Sequence, residues 1–287
     1  MSLLYNENAG DGVPLGHIRD AIERCGHVLV RVVDDRSDAA RLLENRPDVV
    51  VAAGGDGTIA HTARLLARSG IPLAILPLGT ANNIARSVGI TASIDDVIGG
   101  WETAARLPLD LGVAEGEWGR THFVEGVGGG LVPAAIADMK ARTQDDIPAR
   151  SRVAEAVRAF REVLSGLQPA EWTIVADGAR TTGTFLLVEV LNIRLIGPNL
   201  MFSADATPAD GLFQVVMARE EHRGEIARYL EGLLDGRDHR LWLPSQRARH
   251  VTLQGTTDIH LDDQVLSTSA DRTVSMCVDA AALEVLA

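Results

Sequence analysis

The stretch VVVAAGGDGTIAHTA, residues 49–63, decides the fold. Asp48 to Ala53 is a short valine-rich run, as expected of a strand covered on both faces. From Thr58 the pattern turns helical: Ile59, Ala63, Leu66 and Ala67 share a face, and Gly70 supplies a stop. Between the two lie Gly54, Gly55, Asp56 and Gly57. Glycine lets a ligand approach the main chain closely. The open amides of a helix start favour an anion such as phosphate. A plain strand-to-helix turn accounts for a lone Gly-Gly. A carboxylate among those amides points further, to a metal or a transferable proton that accompanies the phosphate.

Strand and helix alternate around this element. Leu3 to Tyr5 is a short strand candidate, Asn6 to Gly12 a turn, and His17 to Cys25 a helix ending at Gly26. His27 to Val33 reads as a strand and Ser37 to Leu43 as a helix. A strand at 71–76 follows, then a helix from Asn82 to Val88 ended by Gly89. Ser93 and Asp96 form a capping box for a helix reaching Arg106. Such alternation means a parallel sheet with helices on both faces, its ligand site beyond the carboxyl ends of the strands.

Near Pro108 strands take over: 109–115, 120–127, 171–177, 182–193, 211–218, 250–255 and 258–266. Helices are expected at Ser151–Ser165 and Glu220–Asp235. The expectation is an α/β domain over 1–107 and a β-sandwich over 108–274. Periodicity leaves open which of the two the last residues join.

Hydrophobic residues make up 46% of the 287 and charged ones 23%, a globular composition. No apolar run approaches a bilayer span, and no signal-peptide pattern opens the chain. Cys25 and Cys277 have no metal-ligand spacing and suit a reducing cytosol. The net charge of −12 argues against nucleic acid as a partner and against adsorption on an anionic membrane through the overall field. A local patch still permits transient membrane contact. Lys140 is the single lysine, so no mechanism rests on a P-loop lysine. The arginines at 142, 150, 152, 158 and 161 are interspersed with acids, the pattern of a solvated helix face.

A second strand-to-helix loop, PLGTANNIAR at 77–86, carries Gly79, Thr80 and Asn82. Taken alone, Thr80 or Asn82 is an N-cap. Taken with GGDGT, two neighbouring loops can hold two parts of one nucleotide.

GGDGT followed by PLGTANNIAR resembles the diacylglycerol kinase catalytic domain family, which includes bacterial lipid kinases and sphingosine kinases. Asn6 to Gly10 is similar to that family's first phosphate loop, and the likeness extends to Asp110-Leu111-Gly112, Phe123–Gly130, Pro208–Leu212 and Leu261–Gln264. The resemblance implies a three-layer α/β nucleotide-binding domain of the NAD kinase and diacylglycerol kinase kind. A C-terminal β-sandwich follows, and residues 275–287 rejoin the first domain. It implies ATP and Mg2+, with Asn6, Gly10, Gly54, Gly55, Asp56, Gly57, Thr58, Gly79, Thr80 and Asn82 at the nucleotide and Asp56 also positioning magnesium. Asp262 is then the base for the acceptor hydroxyl, and Asp210, with the carbonyls of Thr207 and Leu212, a structural metal loop. A hairpin turn explains Asp262-Asp263 as well, and a plain Asp-Gly turn explains Asp210-Gly211 as well. The Gly128–Gly130 run reads either as pocket lining or as an irregular turn.

This chain departs from the family pattern at Glu7, Val33, Ala60, His61, Asn83, Glu125, Asp263 and Gln264. Gln264 keeps hydrogen bonding but cannot ionise. The expected activity is phosphoryl transfer to a lipid such as diacylglycerol or a sphingoid base. NAD kinase-like activity and a catalytically silent nucleotide- or lipid-binding protein stay open as alternatives, and a homodimer is possible in principle through a sandwich edge.

Overall fold

A computed structural model describes residues 1–10, 12–142, 149–237, 240–255, 258–267 and 273–287, with the backbone alone at 149 and 150. The chain forms two units, Met1–Leu111 with Ala280–Ala287, and Gly112–Asp279.

The first unit is built on a parallel sheet of β1 (Ser2–Tyr5), β2 (Arg31–Val33), β3 (Val50–Gly54), β4 (Leu73–Pro77) and the end of a long last strand. The spatial order is β2-β1-β3-β4, and Val285 and Leu286 pair beside Leu73 and Ala74. The connections are α1 (Leu15–Arg24), a 3₁₀ helix (Arg36–Leu43), α2 (Asp56–Leu66), α3 (Asn83–Ser87) and α4 (Ile94–Gly100). Every residue of β1 and β3 is buried, as a strand covered on both faces demands. Leu3, Ile18, Ile22, Val51, Leu76, Ile98 and Trp101 pack into one core.

Two expectations change here. The strand expected over 27–33 is only Arg31–Val33, and Val28 and Val30 are 70% and 65% exposed. Alternating valines gave the right period, but the Val28 carbonyl and the Val30 amide bond to Met1, the residue before β1 begins. The helix from Ser93 stops at Gly100: Ser93 caps the Asp96 amide as expected, but two glycines in the last turn weaken its propagation.

The second unit is a sandwich. One six-stranded antiparallel sheet has the order β12 (Ser245–Ala248), β11 (Phe213–Ala218), β10 (Leu187–Leu191), β7 (Gly126–Gly130), β14 (Ile259–Leu261) and β15 (Gln264–Leu266). Facing it are the first half of β16 (Thr273–Leu286), β13 (His250–Gly255), β8 (Ala170–Ala176) and β9 (Ala179–Phe185), with β5 (Arg106–Gly116) pairing β6 (Gly119–Phe123). Phe123, Trp172, Val188, Val190, Phe213, Leu253 and Met276 fill the space between. The outer face of the six-stranded sheet is covered by α5 (Leu131–Ala141), α6 (Ala149–Gly166) and α7 (Arg223–Leu234).

The glycine run is not a turn. Gly126–Gly130 is a fully buried strand at the centre of its sheet, and α5 starts directly after it, a helix the periodicity did not disclose. The strand expected over 120–127 breaks at Val124 and Glu125, whose amides leave the ladder for a carboxylate described below. A β-carbon at Gly129 would stand 2.1 Å from the ring of Trp172, itself 2% exposed. Alanine in a strand ordinarily gains stability over glycine by roughly 0.5–1 kcal/mol. Here the clash decides the sign: Gly129→Ala is expected to destabilise the chain by about 1–3 kcal/mol, read as a lower urea midpoint.

Three of the arginines of 142–161 are seen in charged pairs: Arg142, just past α5, with Asp138 and Glu162, and on α6 Arg158 with Glu155 and Arg161 with Glu231. The side chain of Arg150 lies outside the described residues.

Candidate functional site

In the first unit, three loops leave the carboxyl ends of β1, β3 and β4 and pack against one another. Asn6 closes an Asx turn, its Oδ1 accepting the Asn8 amide at 3.1 Å, and its Nδ2 donates to Thr58 Oγ1 at 3.3 Å. Gly10, at φ +59°, lies so close to the third loop that a β-carbon there would meet the Leu78 carbonyl at 2.1 Å. Gly55 and Gly79 touch backbone to backbone: a β-carbon on Gly79 would lie 2.5 Å from the Gly55 Cα. The Leu78 amide donates to the Gly54 carbonyl at 2.9 Å. Glycine is therefore required at these positions by contact between the loops themselves, independently of any ligand.

Asp56 locks the pair. It opens α2, and its Oδ1 accepts the Ile84 amide at 2.9 Å from the start of α3. Burial pushes its carboxyl up from the ordinary value, while the amides of Ile84, Asn83 and Asn82 pull the other way. Asn82 holds a left-handed φ of +53° and donates from Nδ2 to the Gly79 carbonyl at 2.9 Å. Gly57 and Thr80 border the same loops, both partly exposed.

Arg36 escaped the sequence reading. It follows β2, so it stands at the carboxyl end of the same sheet, and its Nη2 donates to Thr58 Oγ1 at 3.1 Å. Position after a strand is the available signal, and a lone arginine there has no pattern that marks it as functional. His61, one turn into α2, is held below its ordinary value by burial first and then by the charges of Arg36 and Arg64. The cluster is cationic where phosphate is expected.

In the second unit, Asp262 sits at the tip of the β14–β15 hairpin, buried, at a left-handed φ of +50°. The amides of Val124, Glu125 and Gly126 converge on its Oδ1 at 3.1, 2.8 and 3.4 Å, and Val124 also reaches Oδ2 at 3.2 Å. The hairpin turn is real, yet its first aspartate is directed inward. Lys140 on α5 reaches the Asp263 carbonyl at 3.5 Å, and Gln264 is exposed.

Asp210 forms an Asx turn onto the Leu212 amide at 3.0 Å, and its other oxygen pairs with Arg247. A cation there has to displace the guanidinium. Thr207 donates its hydroxyl to the Asp205 carbonyl at 3.3 Å. Asp110 accepts the Ala281 amide at 2.7 Å and so anchors the returning strand.

Three glycine loops meet at the carboxyl end of a parallel sheet, where open α/β folds bind ligands, and the same chain carries an antiparallel sandwich. With the family matches that follow, this makes the chain a phosphotransferase with an alcohol group as acceptor. Residues 1–114 match the family model described as diacylglycerol kinase catalytic domain, and residues 130–286 that of the YegS C-terminal NAD kinase beta sandwich-like domain. The chain belongs to this diacylglycerol kinase and YegS-like lipid kinase family.

Among curated relatives, the diacylglycerol kinase of Mycobacterium tuberculosis is 28% identical over 82% of this chain and 78% of its own length. The diacylglycerol kinase of Bacillus subtilis is 25% identical over 91% and 88%. A Pseudomonas putida protein named "Probable lipid kinase YegS-like" is 31% identical over 91% and 85%. Among solved structures, a diacylglycerol kinase from Bacillus anthracis matches with a TM-score of 0.75 at 19% identity, over 99% of this chain and 95% of that one. Yeast NADH kinase, solved with NADH, matches at 0.53 and 11%, over 100% and 82%. Both structures bear on the fold alone. Among the described residues, no helix is long and apolar enough to cross a membrane.

Proposed function

We propose that this enzyme moves the γ-phosphate of ATP onto a hydroxyl of a lipid, of the diacylglycerol or sphingoid-base kind. The observation that carries the reading is the meeting of the Asn6–Gly10, Gly54–Thr58 and Gly79–Asn82 loops at the carboxyl end of one parallel sheet, with the Asp56 carboxylate and the Arg36 guanidinium at the same place. The names of the curated relatives support the lipid acceptor.

In this reading the loop amides and the Thr58 and Thr80 hydroxyls hold the phosphates, and Arg36 supplies the cation that a chain without a P-loop lysine needs. The chemistry that magnesium would supply, if bound here with the nucleotide, is neutralisation of phosphate charge. Asp56 is the carboxylate beside those loops, and one carboxylate with phosphate oxygens and water is a donor set magnesium accepts. The attacking lipid oxygen bonds to the γ-phosphorus as the bridging oxygen leaves with ADP. The hydroxyl proton passes to Asp262. Such a transfer depends mainly on alignment and charge neutralisation. The lipid brings the protein to a membrane surface only in passing, from the cytoplasm.

The test is transfer of label from γ-labelled Mg-ATP to total lipid extract and, separately, to NAD. Label in the organic phase is expected. Label on NAD instead moves the acceptor to a dinucleotide. No label on either, with ATP bound, makes the chain a silent homologue.

A further inference from the structure

The central strand β7 has glycine where a buried pair crosses it. Gly128 is in register with Glu189 on β10 and with His260 on β14, so the three residues form a row across the sheet. Along β10, Val188 and Val190 face the sandwich core while Leu187 and Leu191 face the helices, which puts Glu189 on the helix side. His260, between the core residues Ile259 and Leu261, faces the same way. With no side chain at 128 in between, Glu189 Oε2 and His260 Nε2 meet over the glycine at 2.8 Å. Their side chains are 0% and 1% exposed. A β-carbon at 128 would lie 2.4 Å from the Glu189 carboxyl carbon.

The far side of the imidazole faces the main chain. His260 Nδ1 is 2.9 Å from the carbonyl oxygen of Asp262. A carbonyl only accepts, so Nδ1 carries a hydrogen. A second proton lies between Nε2 and Oε2, whichever atom holds it. The pair therefore carries two protons and no net charge. Burial raises Glu189 above its ordinary value. For His260 burial pulls down, but the neighbouring Glu189 and the Asp262 carbonyl outweigh it and the net direction is up. Both directions keep the shared proton in place.

We propose that Glu189 and His260 are a positioning pair for Asp262. Glu189 fixes the tautomer that makes His260 Nδ1 a permanent donor, and that bond holds the Asp262 carbonyl. The left-handed turn at Asp262 is thereby kept, and with it the direction of the carboxylate toward the amides of 124–126. Neither residue touches the reacting atoms. The inference rests on the reading of Asp262 as proton acceptor.

The experiment compares Glu189→Gln and Glu189→Leu in the full chain. Glutamine can donate its amide to Nε2 and preserve the tautomer; leucine cannot. In Glu189→Leu, kcat for lipid phosphorylation is expected to fall by about tenfold or more with KM for ATP unchanged, a misplacement effect, and Glu189→Gln is expected to recover most of it. Imidazole ¹⁵N spectra of the unmodified chain, with His260 assigned by its loss in His260→Gln, are expected to show Nδ1 protonated. Equal kcat in Glu189→Leu and the unmodified chain, or a bare Nδ1, overturns the pairing. If the unmodified chain transfers no phosphate, the functional reading fails separately. Hydrogen exchange then decides the pair: the amides of Val124, Glu125 and Gly126 exchange faster in Glu189→Leu than in Glu189→Gln if it holds, and at equal rates if it does not.

Discussion

Asp262→Asn is expected to cut phosphoryl transfer by about 10²–10⁴-fold and leave the chain folded, whereas Asp262→Ala is expected to be badly destabilised. The two outcomes separate the proposed role of this carboxylate as a base from its part in holding the fold. Three backbone amides point at Oδ1, in a place with little access to water. Alanine leaves those donors without a partner, at about 1–3 kcal/mol for each buried group. It also has to adopt φ +50°, which costs a residue with a plain β-carbon roughly 1–2 kcal/mol more. Together these approach the whole stability of a domain, about 5–15 kcal/mol. Asparagine tolerates the left-handed conformation and offers an amide oxygen to the same three donors. What it cannot do is take a proton. Loss of a general base costs about 10²–10⁴-fold in rate, read as kcat with Mg-ATP and a lipid hydroxyl, while urea midpoints report the fold. Asparagine turning over at the unmodified rate would reduce Asp262 to a clamp on residues 124–126.

The second large effect is expected at Asp56. Asp56→Ala removes the acceptor that ties α2 to the amides at the start of α3, so the Gly55–Gly79 contact is no longer held from above. The expected loss is at least 10²-fold in kcat/KM for ATP, the scale of a lost electrostatic contact at a transferring phosphoryl group. Asp56→Asn keeps an oxygen for Ile84 and removes the charge, and it divides the loss between loop geometry and electrostatics. The pH dependence has a definite sign. Burial raises the Asp56 carboxyl in the folded chain, so the folded state holds this proton more tightly than the unfolded state. Its contribution to stability is thus largest below the ordinary carboxylate value of 3.8 and is lost as pH rises through the raised value. In Asp56→Asn that part of the pH–stability curve should flatten, and an unchanged curve would mean the charge is not buried.

Much of the nucleotide side was legible in the chain itself. GGDGT and PLGTANN each sit where a buried strand gives way to a helix, and such boundaries are written locally, in period and in glycine. Arg36 was not legible, because a single arginine after a three-residue strand has no pattern of its own; its meaning comes from Thr58, 22 residues on. The Gly126–Gly130 strand was also hidden. A strand is read from its side chains, and this one has few because Trp172 from the facing sheet and Glu189 from the neighbouring strand occupy the space.

The sequence by itself determined most of the order of strands and helices, the α/β-then-β plan and the glycine loops at the strand ends. Those features depend on hydrophobic period and on backbone freedom, both properties of neighbouring residues. Only the tertiary structure decided what the carboxylates do. Asp56 finds its amide 28 residues away, Asp262 finds its three at separations of 136 to 138, and Glu189 meets His260 across 71 residues. Sheet register brings such partners together, and register is fixed by the packing of whole faces, which no local stretch of chain contains.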